Sequence, residues 1–256
     1  MTMIDLNCDM GESFGAWTMG QDAAVLAHVT SANIACGFHA GDPVTMQRTV
    51  AAAVKHGVAV GAHPSLPDLA GFGRREMRVT ADETYAMTLY QVGALAAVAR
   101  AAGVELHHVK PHGALYNMAA KDRALADAIA SAVRDFDRAL ILVGLANSEL
   151  PRAGEAAGLT VAHEAFADRR YEADGSLMAR SKAGAVIDDV DAAVAQAISI
   201  ATRGEAQTPN GTLRIRADTI CVHGDRADAA TFARRLREGL EAAGLEIAAL
   251  SQGHRA

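Results

Sequence analysis

Six of the chain's short apolar runs end in a burst of ionisable residues. The first closes in Asp5, Asn7, Asp9 and Glu12, and the second in Asn33, His39 and Asp42. A third stops at Gly61-Ala62-His63-Pro64 and a fourth at Lys110-Pro111-His112-Gly113. Two later runs end in Glu164, Asp168 and Arg169, and in His223-Gly224-Asp225. In a parallel α/β protein the carboxyl ends of all strands meet on one face, and ligands bind there. Residues far apart in sequence would therefore converge on one pocket, as they do in an enzyme site.

The rest of the chain supports that architecture. Strand-like runs lie at 4–8, 31–36, 58–62, 106–110, 139–144, 159–164 and 219–223. Helical stretches fall near 43–56, 81–102, 121–136, 147–157, 188–203 and 226–243, so strands and helices alternate and predict a parallel sheet. Asp42-Pro43 reads as an N-cap followed by proline at the first helical position, and Thr80 to Glu83 as a capping box. Gly57, Gly103, Gly158, Gly204 and Gly244 each follow a helical pattern, where a left-handed residue is wanted. Side-chain parity favours a closed barrel over an open sheet. Asp5, Asn7 and Asp9 share one face, opposite Ile4, Leu6 and Cys8, and the second and third runs show the same split of polar or small against apolar. An open sheet would need both faces apolar. At 256 residues the chain is expected to form one domain over 1–250, with 251–256 as a frayed tail.

Of the ten histidines, His28, His56, His107, His163 and His254 fall on helices, outward strand positions or the tail. His39, His63, His112 and His223 each follow an apolar run with Gly or Pro within two positions, a shared topological position that points to proton chemistry. Asp5, Asn7 and Asp9 point the same way along one strand, and buried carboxylates need a cation, a metal or shared protons. Lys110 reaches inward by parity and is the nearest cation, so an Asp–Lys network that only ties the barrel together competes with a catalytic role, more so for Asp5 than for Asp9. Asp42 and Asp225 sit where N-caps belong, and a helix amino end also favours anions. Residues 64–80 and 165–187 are long, polar connections, too polar for core, whose pairs Arg74-Arg75 and Arg169-Arg170 could clamp a carboxylate or phosphate. A divalent metal fits the residue types, but no His-x-His or His-x-x-x-His pair gives it a specific signal.

Several classes are disfavoured. The formal charge is −6 with no Lys/Arg block, which argues against nucleic acid. The first residues have no basic region ahead of an apolar stretch, and no uncharged run reaches membrane-spanning length; 86–99 reads as a core helix. Three cysteines at unrelated spacings suit reduced thiols and a cytoplasmic protein, with Cys8 and Cys36 facing the helices and Cys221 a small buried thiol. No P-loop occurs, and Gly71-Phe-Gly73 does not complete a dinucleotide fingerprint.

Taken together, these segments resemble the LamB/YcsF family, which supplies the A subunit of bacterial ATP-dependent 5-oxoprolinase. The resemblance rests on Asp5-Leu-Asn-Cys-Asp-Met-Gly-Glu12, Ser31 to Asp42, Gly61 to Pro64, Gly71 to Arg75, Val109 to Asn117, Glu164 to Arg169 and Cys221 to Asp225. Cys8 stands where alanine is expected, and Leu66 where an aromatic would shape the pocket rim. The resemblance implies a seven-stranded parallel β/α barrel similar to the glycoside hydrolase and deacetylase barrels. It also implies opening of the lactam of 5-oxo-L-proline to L-glutamate, coupled to ATP (with Mg2+) and shared with two further subunits, B and C. Phosphorylating the lactam oxygen would turn a poor electrophile into an activated imidate that water attacks. The catalytic candidates are then Asp9, Glu12, His39, His63, Lys110, His112, Glu164 and His223. The substrate-binding candidates are Asn7, Asn33, Asp42, Arg74, Arg75, Tyr116, Asn117, Asp168, Arg169 and Asp225. Asp9 and Glu164 stand equal as the base. Two other readings stay open: a stand-alone metal-dependent deacetylase or amidohydrolase, and a non-catalytic substrate-binding subunit.

Overall fold

A computed structural model describes residues 2–222 and 228–251. His223 and Asp225, and the tail beyond residue 251, lie outside the described residues.

The first strand, β1 (Met3–Met10), is long because its alternating residues satisfy two environments at once. Leu6, Cys8 and Met10 are fully buried among helices, whereas Asp5, Asn7 and Asp9 turn inward. After the short helix α1 (Asp22–Val25) come β2 (Ser31–Ala35), α2 (Pro43–His56), β3 (Ala59–His63) and α3 (Ala81–Ala101). The chain continues through β4 (His108–Val109), α4 (Gly113–Ala119), α5 (Arg123–Phe136), β5 (Ile141–Leu145), α6 (Glu149–Ala156) and β6 (Thr160–Phe166). It ends with α7 (Val190–Arg203), the hairpin β7 (Glu205–Thr208) and β8 (Gly211–Arg214), β9 (Thr219–Val222), α8 (Ala229–Ala242) and β10 (Glu246–Ile247).

Seven parallel strands run in the order β1-β2-β3-β4-β5-β6-β9, and β9 pairs back onto β1 to close the barrel. The expected barrel is therefore present, and its seven strands are those the alternation predicted. The apolar layer lies between barrel and helices, where Leu6, Ile34, Val60, Val109, Leu142 and Ile220 meet Val50, Val92, Leu95, Ile129 and Leu236. Interior space is tight: Gly61 pairs with His108, and a Cβ on Gly61 would overlap the His108 ring. Helix ends follow the sequence signals. Asp42 Oδ1 accepts from the backbone N–H of Val44 and Thr45 at 2.9 Å. Thr80 and Glu83 cap each other, and Gly57 and Gly204 close their helices at φ 68° and 64°.

Five elements were not anticipated. α1 is a single turn, α4 follows a Pro-His-Gly segment that reads as a turn, and β10 is two residues long. The β7–β8 hairpin is polar and its strands are short, so it leaves no hydrophobic alternation to detect. Two expectations need correction. The connections 64–80 and 165–187 are not too polar for core: Ser65, Leu66 and Tyr171 are fully buried and Asp68, Met178 and Ile187 nearly so, because both segments fold down over the barrel mouth. Leu66 lies in the main apolar core and does not shape the rim. Helix α3 is a core helix as expected. Its buried Gln91 bonds both backbone groups of Ser65 at 2.9 Å and so anchors the segment after β3. Among the described residues, no helix is long and apolar enough to cross a membrane.

Candidate active site

The carboxyl ends of the strands surround a cavity of about 340 Å³, lined by Asp9, His63, Lys110, His112, Tyr116, Phe166 and Arg169, with Arg74, Asn117 and Arg180 among the remaining residues. Lys110, just past β4, occupies its floor. Its Nζ lies 2.7 Å from Glu164 Oε1 on β6, 3.0 Å from Asp9 Oδ1 and Asn7 Oδ1 on β1, and 3.2 Å from Cys221 Sγ on β9. Burial alone would discharge this ammonium, but the Asp9 and Glu164 carboxylates outweigh it and hold the lysine well above its usual range. The Tyr116 hydroxyl donates to the second Glu164 oxygen at 2.6 Å. Burial, then Glu164, pushes that phenol up, so it stays protonated and donating.

Beneath Lys110 a polar ladder crosses the barrel. The Asn33 amide donates to Asn7 Oδ1 at 2.7 Å and to Asp9 Oδ1 at 2.8 Å, while its oxygen meets His108 Nε2 at 2.8 Å. Asn7 donates to Thr219 Oγ1, which in turn donates to Asp5. Asp5 also accepts from Thr30 and Ser31 at 2.7 Å. Asp5 is therefore held by hydroxyls, not by an Asp–Lys pair, and burial raises its carboxyl. For Asp9 burial also raises the pKa, but His63 and Lys110 beside it win and hold it well below the usual range. Glu164 is sealed behind Lys110, whereas Asp9 lines the cavity and is 17% exposed at its side chain. Of the two, Asp9 is the carboxylate that can meet a molecule in the cavity.

Beside this ion network lies an imidazole cluster. His39 and His112 stack at 3.9 Å with rings 7° from parallel, and His63 stands edge-on to both. His63 Nδ1 meets the Lys110 carbonyl at 2.7 Å, and His112 Nε2 meets the Phe72 carbonyl at 2.9 Å. Glu12 Oε1 lies 3.6 Å from His39 Nε2 and 3.7 Å from His112 Nδ1. Burial pushes His39 far down, and burial followed by His63 pushes His112 down to about 3, so both are neutral imidazoles near pH 7.

Not every candidate reaches the cavity. Asp42 is an N-cap that also accepts from Gly15 N at 2.9 Å, and it does not line the cavity. Arg75 is bound to Asp68 and projects to solvent, so only Arg74 of that pair reaches the cavity, its guanidinium 4.8 Å above the Phe72 ring. Asp168 is buried outside the lining, next to Arg169. Glu12 and His39 stand behind His112, and Asn7 and Asn33 act from below, through Asp9 and Lys110. Tyr116, Asn117 and Arg169 do line it. Arg169 donates to the Met178 carbonyl at 2.7 Å, while its buried Nε makes no hydrogen bond among the described residues. His108 was missed. Its signal was parity, since it sits two residues before Lys110 on the same inward face. The Phe72 carbonyl was missed too, because no side-chain pattern marks a backbone acceptor.

Fold and site define a closed β/α barrel with a charged, titratable cavity at the carboxyl ends of its strands. Within that class the chain belongs to the LamB/YcsF family, whose model it matches over residues 4–255. A Bordetella pertussis protein, named as the A subunit of 5-oxoprolinase, is 62% identical, over 96% of this chain and 98% of its own length. Its Bacillus subtilis counterpart is 55% identical over 98% of each. The crystal structure of the lactam utilization protein from Thermus thermophilus superposes with a TM-score of 0.92 at 47% identity, covering 97% of this chain and 100% of that one. The catalytic domain of a peptidoglycan N-acetylglucosamine deacetylase from Eubacterium rectale shares the fold alone, at a TM-score of 0.52 and 12% identity over 99% of this chain and 93% of that one.

Proposed function

We propose that this chain is the A subunit of a 5-oxoprolinase, opening the lactam of 5-oxo-L-proline to L-glutamate at the cavity above Lys110. One observation carries the reading: a buried ammonium is kept charged at the floor of a small cavity that arginines also line. Such a floor suits a compact, neutral amide that carries one carboxylate. In the proposed reaction Lys110 faces the lactam oxygen and offsets the negative charge of the phosphoryl group that oxygen receives. Arg169 and Arg74 receive the substrate carboxylate. Asp9 orients the attacking water, and Glu164 with Tyr116 fixes Lys110 without touching substrate. The names of the Bordetella and Bacillus relatives agree with this reading, and so does the lactam for which the Thermus protein is named.

The proposed reaction draws its driving force from ATP with Mg2+, because an unstrained five-membered lactam resists water at neutral pH. Two partner subunits, B and C, complete the enzyme, and this chain holds the ring while its oxygen is activated. The test is glutamate release from 5-oxoproline by this chain alone and with its partner subunits, each with and without ATP. Turnover is expected only with all components and ATP. Release of glutamate by the chain alone, without ATP, would overturn the reading in favour of a stand-alone amidohydrolase.

A further inference from the structure

We propose that His63 Nε2, His112 Nδ1 and Glu12 hold a divalent transition-metal ion of the zinc class in the wall of the cavity. The argument starts from tautomers. A ring nitrogen facing a carbonyl oxygen must be the protonated one, because the carbonyl can only accept. His63 Nδ1 faces the Lys110 carbonyl and His112 Nε2 faces the Phe72 carbonyl, so both donate outward. The remaining nitrogens, His63 Nε2 and His112 Nδ1, then present lone pairs to each other across 2.9 Å. Asp9 Oδ2 adds a third acceptor 3.3 Å from His63 Nε2, and Glu12 Oε1 a fourth 3.7 Å from His112 Nδ1. Acceptors crowded on acceptors require a positive species at their centre.

Two species qualify, a proton or a metal ion, and three observations favour the metal. Ligating histidines commonly donate their other N–H to a backbone carbonyl or carboxylate, which fixes the tautomer, and that is how His63 and His112 are held. The spacing also suits an ion. Four ligands about 2.0–2.2 Å from a tetrahedral centre lie roughly 3.3–3.6 Å apart. Here His63 Nε2 and His112 Nδ1 stand 2.9 Å apart and His112 Nδ1 and Glu12 Oε1 3.7 Å apart, and these donors fall within 4.8 Å of one another. Charge points the same way, since the Lys110 ammonium pairs with Asp9 and Glu164, while Glu12 stands against the imidazoles of His39 and His112. Two imidazoles and one carboxylate select a nitrogen-accepting ion over Mg2+ or Ca2+. His63 and His112 line the cavity, which gives the ion a way in and an open position. The proposal is independent of which amide the cavity opens.

The test uses the full-length chain. Elemental analysis after chelator-free purification should find about one equivalent of transition metal. After metal removal, titration with Co2+ should develop the visible bands of a four- or five-coordinate nitrogen and oxygen site. His63→Ala and His112→Ala, with circular dichroism matching the parent, should weaken Co2+ binding more than about 100-fold, beyond what losing an outer hydrogen-bond partner costs. His107→Ala should leave it unchanged. Should either variant fail to fold, X-ray absorption of the Co2+-loaded parent decides, with two imidazoles expected in the coordination sphere. A metal-free chain that gives no Co2+ spectrum, or an absorption edge showing oxygen ligands alone, overturns the proposal. So does a nitrogen-15 spectrum in which His63 and His112 share a proton that added Co2+ does not displace.

Discussion

Lys110 makes the site expensive to alter one residue at a time. Replacing it with Ala leaves Asp9 and Glu164 buried without their cation, so urea denaturation of Lys110→Ala should show a loss of about 3–5 kcal/mol. In the reconstituted assay the same variant should release no glutamate. Tyr116→Phe removes one donor from Glu164 and preserves shape, so its stability should fall by only about 1–3 kcal/mol, read from the same transition. Asp42 offers a pH handle far from this network. The backbone N–H of Thr45, then that of Gly15, holds its carboxyl well below the ordinary 3.8. A depressed folded pKa means that its stabilisation is complete above the ordinary value and fades as the pH falls below it. The gap in urea midpoint between the parent and Asp42→Ala should therefore be the same at pH 7 and pH 5 and should narrow as the pH drops under about 4.

At the scale of elements, the segment from β3 to α3 connects fold to site. Gly73 has φ 63°, and a Cβ there would stand 2.8 Å from His39 Cβ and 2.9 Å from His112 Cδ2. Gly73→Ala should therefore disturb the imidazole cluster while leaving the helices intact. Near-normal circular dichroism with a large drop in turnover checks it. Thr80→Ala removes the cap that starts α3 and should cost about 1 kcal/mol of stability with activity retained, measured by denaturation and assay. The two outcomes separate a residue that shapes the cavity from one that only starts a helix. Both positions also show how far a sequence can be read. The capping box and Asp42-Pro43 were legible because caps act within one turn of chain. The descent of residues 64–80 onto the barrel mouth was not, because it depends on Gln91, a residue of α3 that bonds Ser65 across the fold.

For the whole molecule, closure makes stability uneven. β1 is paired on both sides, by β2 and β9, and carries buried side chains on both faces. Its amides, with those of β2 and β9, should exchange hydrogen only through global unfolding, while the exposed β7–β8 hairpin exchanges earlier, as mass-spectrometric exchange would show. The barrel was legible because polar and apolar residues alternate with period two on β1, β2 and β3, which only an enclosed polar interior explains. The gathering of Asp9, His63, Lys110 and His112 followed from strand ends alone. What sequence could not supply was depth: Asp9 and Glu164 look equivalent as letters, yet one faces the cavity and the other is walled off by Lys110. That arrangement also orders events during synthesis. The lysine's two carboxylates come from positions 9 and 164, and β6 is fixed in the barrel partly by β9. A nascent chain still lacking residues 219–222 has no β9 to hold β6 beside β1, so on the ribosome the three charged partners are locked together only after that strand has emerged.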